Sequence, residues 1–217
     1  LNTDPGPLLR IYEEARQVPG IKHCFIGSGI RYDLCLSDTG NKEVDKTNRR
    51  YLETVIRHHV SGRFKVAPEH CSPTVLGLMR KPAFGLFQQL KSIFDEINRK
   101  HRLNEQIIPY FISSHPGCRP EDMAELAVAT KALDFKLEQV QDFTPTPMTV
   151  ATTIYYSGYH PYSLQKIDTA KSEKEKKQQN MFFFWYKREF REQIMTLLRR
   201  IHRADLIPKL YGKEREK

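Results

Sequence analysis

The chain has 217 residues, 39% of them hydrophobic and 28% charged, and a formal net charge of +9. That length allows one substantial domain and an appendage. Its longest apolar cluster, residues 181–186, falls far short of the ~18–20 apolar residues needed to cross a bilayer, which excludes a helical membrane span.

The basicity is uneven: from Pro161 onward 15 Lys and Arg face 8 Asp and Glu, so it belongs to the tail and not to the body. The opening residues, LNTDPGP, carry no basic and no apolar stretch, and no signal peptide is expected. Four cysteines, Cys24, Cys35, Cys71 and Cys118, stand 11, 36 and 47 residues apart. None forms a CxxC pair, so the spacing offers neither a zinc site nor a local cluster motif. Reduced thiols in the cytoplasm are the expectation.

The first predicted helix covers residues 5–18, with Asp4 as cap, Pro5 and Pro7 in the first turn, and Leu8, Ile11, Tyr12 and Ala15 on one face. An apolar strand is predicted at 21–26, ending in Gly27-Ser28-Gly29. A helix within 42–59 turns Val44, Tyr51, Leu52, Val55 and Ile56 inward, and a strand at 63–67 is stopped by Pro68. Helices at 73–80 and 83–102 follow, the second burying Phe84, Phe87, Leu90, Phe94 and Ile97. A third strand at 107–112 runs into Ser113-Ser114-His115-Pro116-Gly117, then a helix at 121–134 and a fourth strand at 137–143. Residues 150–162 read as an irregular cover and 171–177 as a charge run. Phe183, Phe190, Ile194, Leu197 and Ile201 then recur at helical spacing beneath a Lys/Arg face.

Strands alternating with helices argue for βαβ units and a parallel α/β sheet or barrel. The Gly-, Pro- and Ser-rich segments fall at strand C-terminal ends, the edge that carries ligand sites in such folds. That placement selects the candidate binding residues. Ser28 and Arg31 follow the first strand. Lys65 and Glu69 lie on and past the second, with Lys65 expected to project inward by alternation with Phe64 and Val66. Glu69 is acceptor-only when ionised and suits a ligand's hydroxyl or amine. Ser113, Ser114 and His115 precede a helix N-terminus that favours an anion. Each has a plainer reading: a surface ion pair, a buried Lys65–Glu69 pair, and N-cap chemistry. The basic tail helix has three readings, in order of preference: docking onto the body, contact with nucleic-acid phosphates, and an anionic membrane surface.

The strand-end strings, in order, are FIGSGIRYDL at 25–34, RFKVAPEH at 63–70, IPYFISSHPGC at 108–118, QVQDFTPTP at 139–147 and ATTIYYSG at 151–158. Together they resemble the YgiQ-type radical S-adenosylmethionine (SAM) proteins. More broadly, the chain resembles the last four strands of the six-stranded partial barrel of radical SAM methylthiotransferases, with Cys118 where those proteins carry an acidic residue. The resemblance implies that residues 1–148 are the C-terminal part of a partial (β/α) barrel and 149–217 a C-terminal extension. It implies a parent that cleaves SAM reductively with a 4Fe–4S cluster on a CxxxCxxC loop, and an unknown substrate. Because that loop is missing from this sequence, the chain itself is expected to be inactive and to bind neither cluster nor SAM. Truncation of the barrel would leave the strand at 21–26 without its upstream neighbour, so self-association through that edge is expected.

Overall fold

The computed structural model describes residues 4–212; the outermost residues of the two expected segments, 1–3 and 213–217, lie outside the described residues. The chain forms two compact units, Leu1–Ala67 with Gly85–Pro109, and Pro68–Phe84 with Tyr110–Lys217.

The first unit begins with α1 (Gly6–Gln17), α2 (Tyr32–Leu36) and α3 (Lys42–His58). Asn41 starts α3 because its side-chain oxygen accepts the Glu43 and Val44 N–H groups at 3.0 and 3.4 Å, two of the donors a helix start leaves orphaned. Its apolar face buries Tyr51, Leu52, Val55 and Ile56, as the helical spacing predicts. β1 (Arg63–Glu69) alternates buried Phe64 and Val66 with exposed Lys65. Phe64 stacks on Phe94 of α5 (Phe84–His101), with ring centroids 5.5 Å apart.

The second unit holds α4 (Pro73–Met79), the end of β2 (Gln106–Ser113), α6 (Pro120–Ala132) and β3 (Gln139–Asp142). It also holds α7 (Val150–Ser157), α8 (Glu173–Asn180), a 3-10 turn at Met181–Phe184, α9 (Arg188–Arg200) and α10 (Ile207–Tyr211). Its core is built on Phe111, Met123, Leu126, Ile154, Phe182 and Ile194, each no more than 1% exposed. The sheet order is β1-β2-β3. β2 and β3 run parallel, from Tyr110 opposite Gln139 to Ser113 opposite Asp142, so these two strands end side by side.

Four expectations need correction. Residues 21–26 join no ladder. Lys22 and His23 interrupt the apolar run, and the Ile26 N–H goes to the His59 carbonyl at 2.9 Å instead of to a strand. The sheet therefore has three strands, and β1, not 21–26, lies at its edge. Residues 150–157, read as irregular, form α7, capped by the Thr149 hydroxyl accepting the Thr152 N–H. The charge run folds as α8, because Ser172 and Glu175 close a reciprocal capping box that satisfies both backbone donors. The tail stripe is no single helix: Phe183 belongs to the 3-10 turn, and α9 starts afresh at Arg188. Its Ile194, Leu197 and Leu198 are buried while Arg191, Arg199 and Arg200 stay exposed, which is the docked arrangement of an amphipathic helix.

Candidate functional site

In the second unit a cavity of about 420 Å³ opens at the carboxyl ends of β1, β2 and β3, walled by Glu69, Lys81, Ile112, His115, Asp142 and Thr146 among others. Its floor is held by backbone conformations that L-residues rarely adopt. Glu69, the last residue of β1, has φ of 65°, and Ser114, the first after β2, has φ of 60°. Each costs about 1–2 kcal/mol relative to a right-handed conformation, and such outliers gather at functional sites. Gly117 turns the same loop at φ of 82°, and a Cβ there would meet a Leu78 methyl at 2.4 Å; only glycine fits.

The Glu69 carboxylate is 13% exposed and holds Lys81 through Oε1 at 3.1 Å. Its Oε2 is buried with no hydrogen-bond partner among the described residues. A buried carboxylate oxygen left unpaired is costly unless a donor completes it. Ser114 Oγ is buried and unpaired in the same sense. Ser113 Oγ bonds the Asp142 carboxylate, which also accepts from Asn180 Nδ2 at 3.1 Å. Gln179 is 3% exposed; it accepts the Ser114 N–H and donates to the Cys118 carbonyl, both at 2.8 Å. The last turn of α8 thus reads both ends of the β2–α6 loop and the end of β3.

His115 bonds the Pro116 carbonyl through Nδ1 at 2.9 Å and meets the Phe143 ring edge-on at 5.0 Å. Burial lowers its pKa. A neutral ring donating from Nδ1 carries its lone pair on Nε2, an acceptor. Beside it, fully buried His70 accepts the Ser72 N–H at Nδ1 (3.0 Å) and lies 3.5 Å from Cys118 Sγ through Nε2. Burial first, and then His115, bring the His70 pKa down to about 3. Burial and Asp122 raise that of Cys118 far above the usual thiol range. With Nδ1 accepting, the proton sits on Nε2 and points to sulfur. The ring cannot draw a proton from that thiol, so the pair is a neutral hydrogen bond and not a nucleophile with its base.

Of the residues chosen from sequence, Glu69 and His115 line the cavity, and Ser113 and Ser114 are buried in its supporting network. The other three belong to the first unit. Ser28 is exposed. Arg31 is bound fork-to-fork by Asp33 at 2.8 and 2.6 Å, with its side chain 70% exposed. Lys65 stands on the exposed face of β1, opposite the buried Phe64 that stacks on Phe94 of α5. The plainer reading of a Lys65–Glu69 pair gives way to Lys81–Glu69. The close approach expected at the Gly27–Gly29 turn is to the chain's own backbone: a Cβ on Gly29 would sit 3.2 Å from the Lys65 carbonyl oxygen. Sequence reasoning missed Asp142, Gln179 and Asn180. Asp142 carried a signal, since it ends a strand as Ser113 does; Gln179 and Asn180 carried none, lying in a polar helix far along the chain.

Among the described residues no three His, Cys, Asp or Glu side chains gather as a metal-binding group, so these residues offer no ligand set for a cluster. No helix among them is long and apolar enough to cross a membrane.

These features define a mixed α/β chain with a small parallel sheet and a cavity at its strand ends that carries several polar side chains. Residues 138–214 match the profile of the Domain of unknown function DUF3362. Over 98% of its length the chain is 60% identical to a UPF0313 protein of Bacteroides thetaiotaomicron and 57% identical to one of Porphyromonas gingivalis, in each case covering 34% of the relative. It is 41% identical over 95% of its length to a UPF0313 protein of Methanocella arvoryzae, covering 33% of it. The chain is thus similar to UPF0313 proteins over nearly its whole length, and spans about a third of the length of these curated relatives.

Proposed function

We propose that the chain is the C-terminal part of a radical SAM protein and that the strand-end cavity holds part of SAM or of the substrate. The sheet would then be one side of a partial barrel whose other strands belong to the parent, with 149–217 as a cover over the strand ends. The observation that carries this reading is the buried, unpaired Oε2 of Glu69, a residue that lines a cavity on the carboxyl edge of a parallel sheet. An ionised carboxylate accepts from ribose hydroxyls or an ammonium group, and the parallel-sheet edge is where such ligands bind. Lys81 fixes the carboxylate through its other oxygen, and Gln179 and Asn180 hold the loops beside it. The strings that resemble YgiQ-type proteins supply the cofactor part of the reading. When bound to the parent, a 4Fe–4S cluster would supply the electron for reductive SAM cleavage. This chain's residues would orient the bound molecule and exclude water. A cluster in the parent would suit a reducing compartment such as the cytoplasm.

The test uses the full-length parent, reconstituted anaerobically with iron and sulfide. It is expected to bind a 4Fe–4S cluster and to release 5′-deoxyadenosine from SAM under reducing conditions. In it, Glu69→Gln should weaken SAM binding by about tenfold or more, the worth of a hydrogen bond to a charged group, with iron content unchanged. The present chain, treated alike, should hold no stoichiometric iron. A parent that binds no cluster, or forms no 5′-deoxyadenosine, would sink the reading.

A further inference from the structure

A second cavity, of about 500 Å³, lies in the second unit among the ends of α6, α9 and α10. Lys131, Lys136, Lys187, Arg188 and Arg191 line it, and no Asp or Glu is among its lining residues. Aromatic rings stand between these cations. Lys131 Nζ lies 5.7 Å over the Trp185 ring, and Arg191 lies 5.0 Å over Tyr211. Lys131 is tied down by the Lys209 and Leu210 carbonyls at 3.0 and 2.6 Å, whereas Lys136, Lys187 and Arg188 are exposed. Trp185 Nε1 and Tyr211 OH are buried with no hydrogen-bond partner among the described residues. Outside the lining, Glu138 acts electrostatically on Tyr186 and Glu192 on Tyr211.

The wall is therefore rich in donors and poor in acceptors. Five like charges repel one another at close quarters, and an anion relieves that repulsion. The plainer reading, a solvated basic surface, accounts for scattered lysines but not for cations interleaved with rings around a recess. Phosphate neutralisation by Lys and Arg beside aromatic faces is the chemistry of single-stranded nucleic-acid grooves, where bases stack and the backbone is tracked by cations. A membrane surface fits less well: membrane-lying elements present protruding apolar side chains, and here Leu210 is 2% exposed and Trp185 partly buried.

We propose that this groove binds single-stranded nucleic acid, with phosphates on Lys136, Lys187 and Arg188 and a base against Tyr186. The proposal is independent of what occupies the strand-end cavity. The test is fluorescence anisotropy of the full chain with a labelled oligouridylate, repeated at several salt concentrations. Binding should weaken steadily as salt rises. Lys136→Ala with Arg188→Ala should lower affinity about tenfold at low salt and flatten the log–log salt slope by roughly 1.4, at ~0.7 for each single-strand phosphate no longer neutralised. Tyr186→Ala should weaken binding and leave the slope alone. Lys46→Ala with Arg57→Ala removes the same charge from exposed positions of the first unit and should leave the slope as it is. Circular dichroism melting of each variant separates weaker binding from failed folding. Equal weakening in the two double variants would overturn the proposal. So would tighter binding of phosphatidylserine vesicles or of a phosphoserine peptide than of the oligonucleotide.

Discussion

Ser114 pays a conformational cost with no visible return: φ is 60° and its buried hydroxyl has no partner among the described residues. Glycine adopts that conformation without strain, at the expense of a more flexible unfolded chain. Ser114→Gly is therefore expected to stabilise the chain by about 1 kcal/mol in urea unfolding. Destabilisation would mean that the hydroxyl holds a water or ligand the fold depends on. His70 makes the second residue-level prediction. Its folded-state pKa is lowered to about 3 by burial and then by His115, while in the unfolded chain it titrates near the ordinary histidine value. Below that value the unfolded chain binds a proton that the native state refuses, so stability falls as pH falls. Between pH ~6.5 and ~5 the loss attributable to His70 should be roughly 1 kcal/mol per pH unit. His115 and His58, both lowered chiefly by burial, add slopes of the same sign. In His70→Asn the acid slope should shrink even if overall stability drops, and an unchanged slope would show that His70 is not protonated on unfolding.

At the scale of elements, the junction that matters is the last turn of α8 against the β2–α6 loop. Gln179 satisfies one buried N–H and one buried carbonyl through a single amide. Gln179→Ala leaves both unpaired, at about 1–3 kcal/mol for each buried group. Its neighbour Gln178 bonds Arg200 on the surface, where such interactions are worth little. Urea unfolding should show Gln179→Ala losing about 3 kcal/mol and Gln178→Ala within about 0.5 kcal/mol of the unsubstituted chain. Comparable losses at both positions would mean that α8 matters only as a helix and not as a clamp on the strand ends.

For the whole molecule, exposed large apolar side chains fall in two stretches, residues 8–34 and 148–164, and the first holds the aliphatic face of α1. Ile11 is 59% exposed, Phe25 49%, Ile21 48% and Leu8 38%. The face of α1 expected to turn inward thus lies partly in solvent, the condition under which chains associate. Sedimentation velocity at rising concentration is expected to show self-association, and Ile11→Lys with Phe25→Lys should shift the chain toward monomer. A wild-type chain that stays monomeric into the high-micromolar range would show that this surface does not pair. The association expected from sequence rested on an edge strand at 21–26; with no strand there, the prediction rests on the exposed side chains of α1 and the segment after it.

Sequence alone determined the helices with long amphipathic repeats, α3 and α5. Burial of one face follows from a 3.6-residue period whatever the helix packs against. It also located β1, β2 and β3, and placed Glu69, Ser113, Ser114 and His115 at strand ends, because breakers such as Pro116 and Gly117 mark those ends locally. It misread 21–26, where local preference was extended but a strand exists only when a partner takes its backbone groups. Alternation also told that Lys65 takes the face opposite Phe64 and Val66, and not which of the two faces is covered. The tertiary structure alone decided that Gln179 and Asn180 hold Ser114, Cys118 and Asp142, bonds that join residues 38 to 65 positions apart. A side chain's hydrogen-bond partner at such separation is set by how the whole unit packs, and no local pattern encodes it.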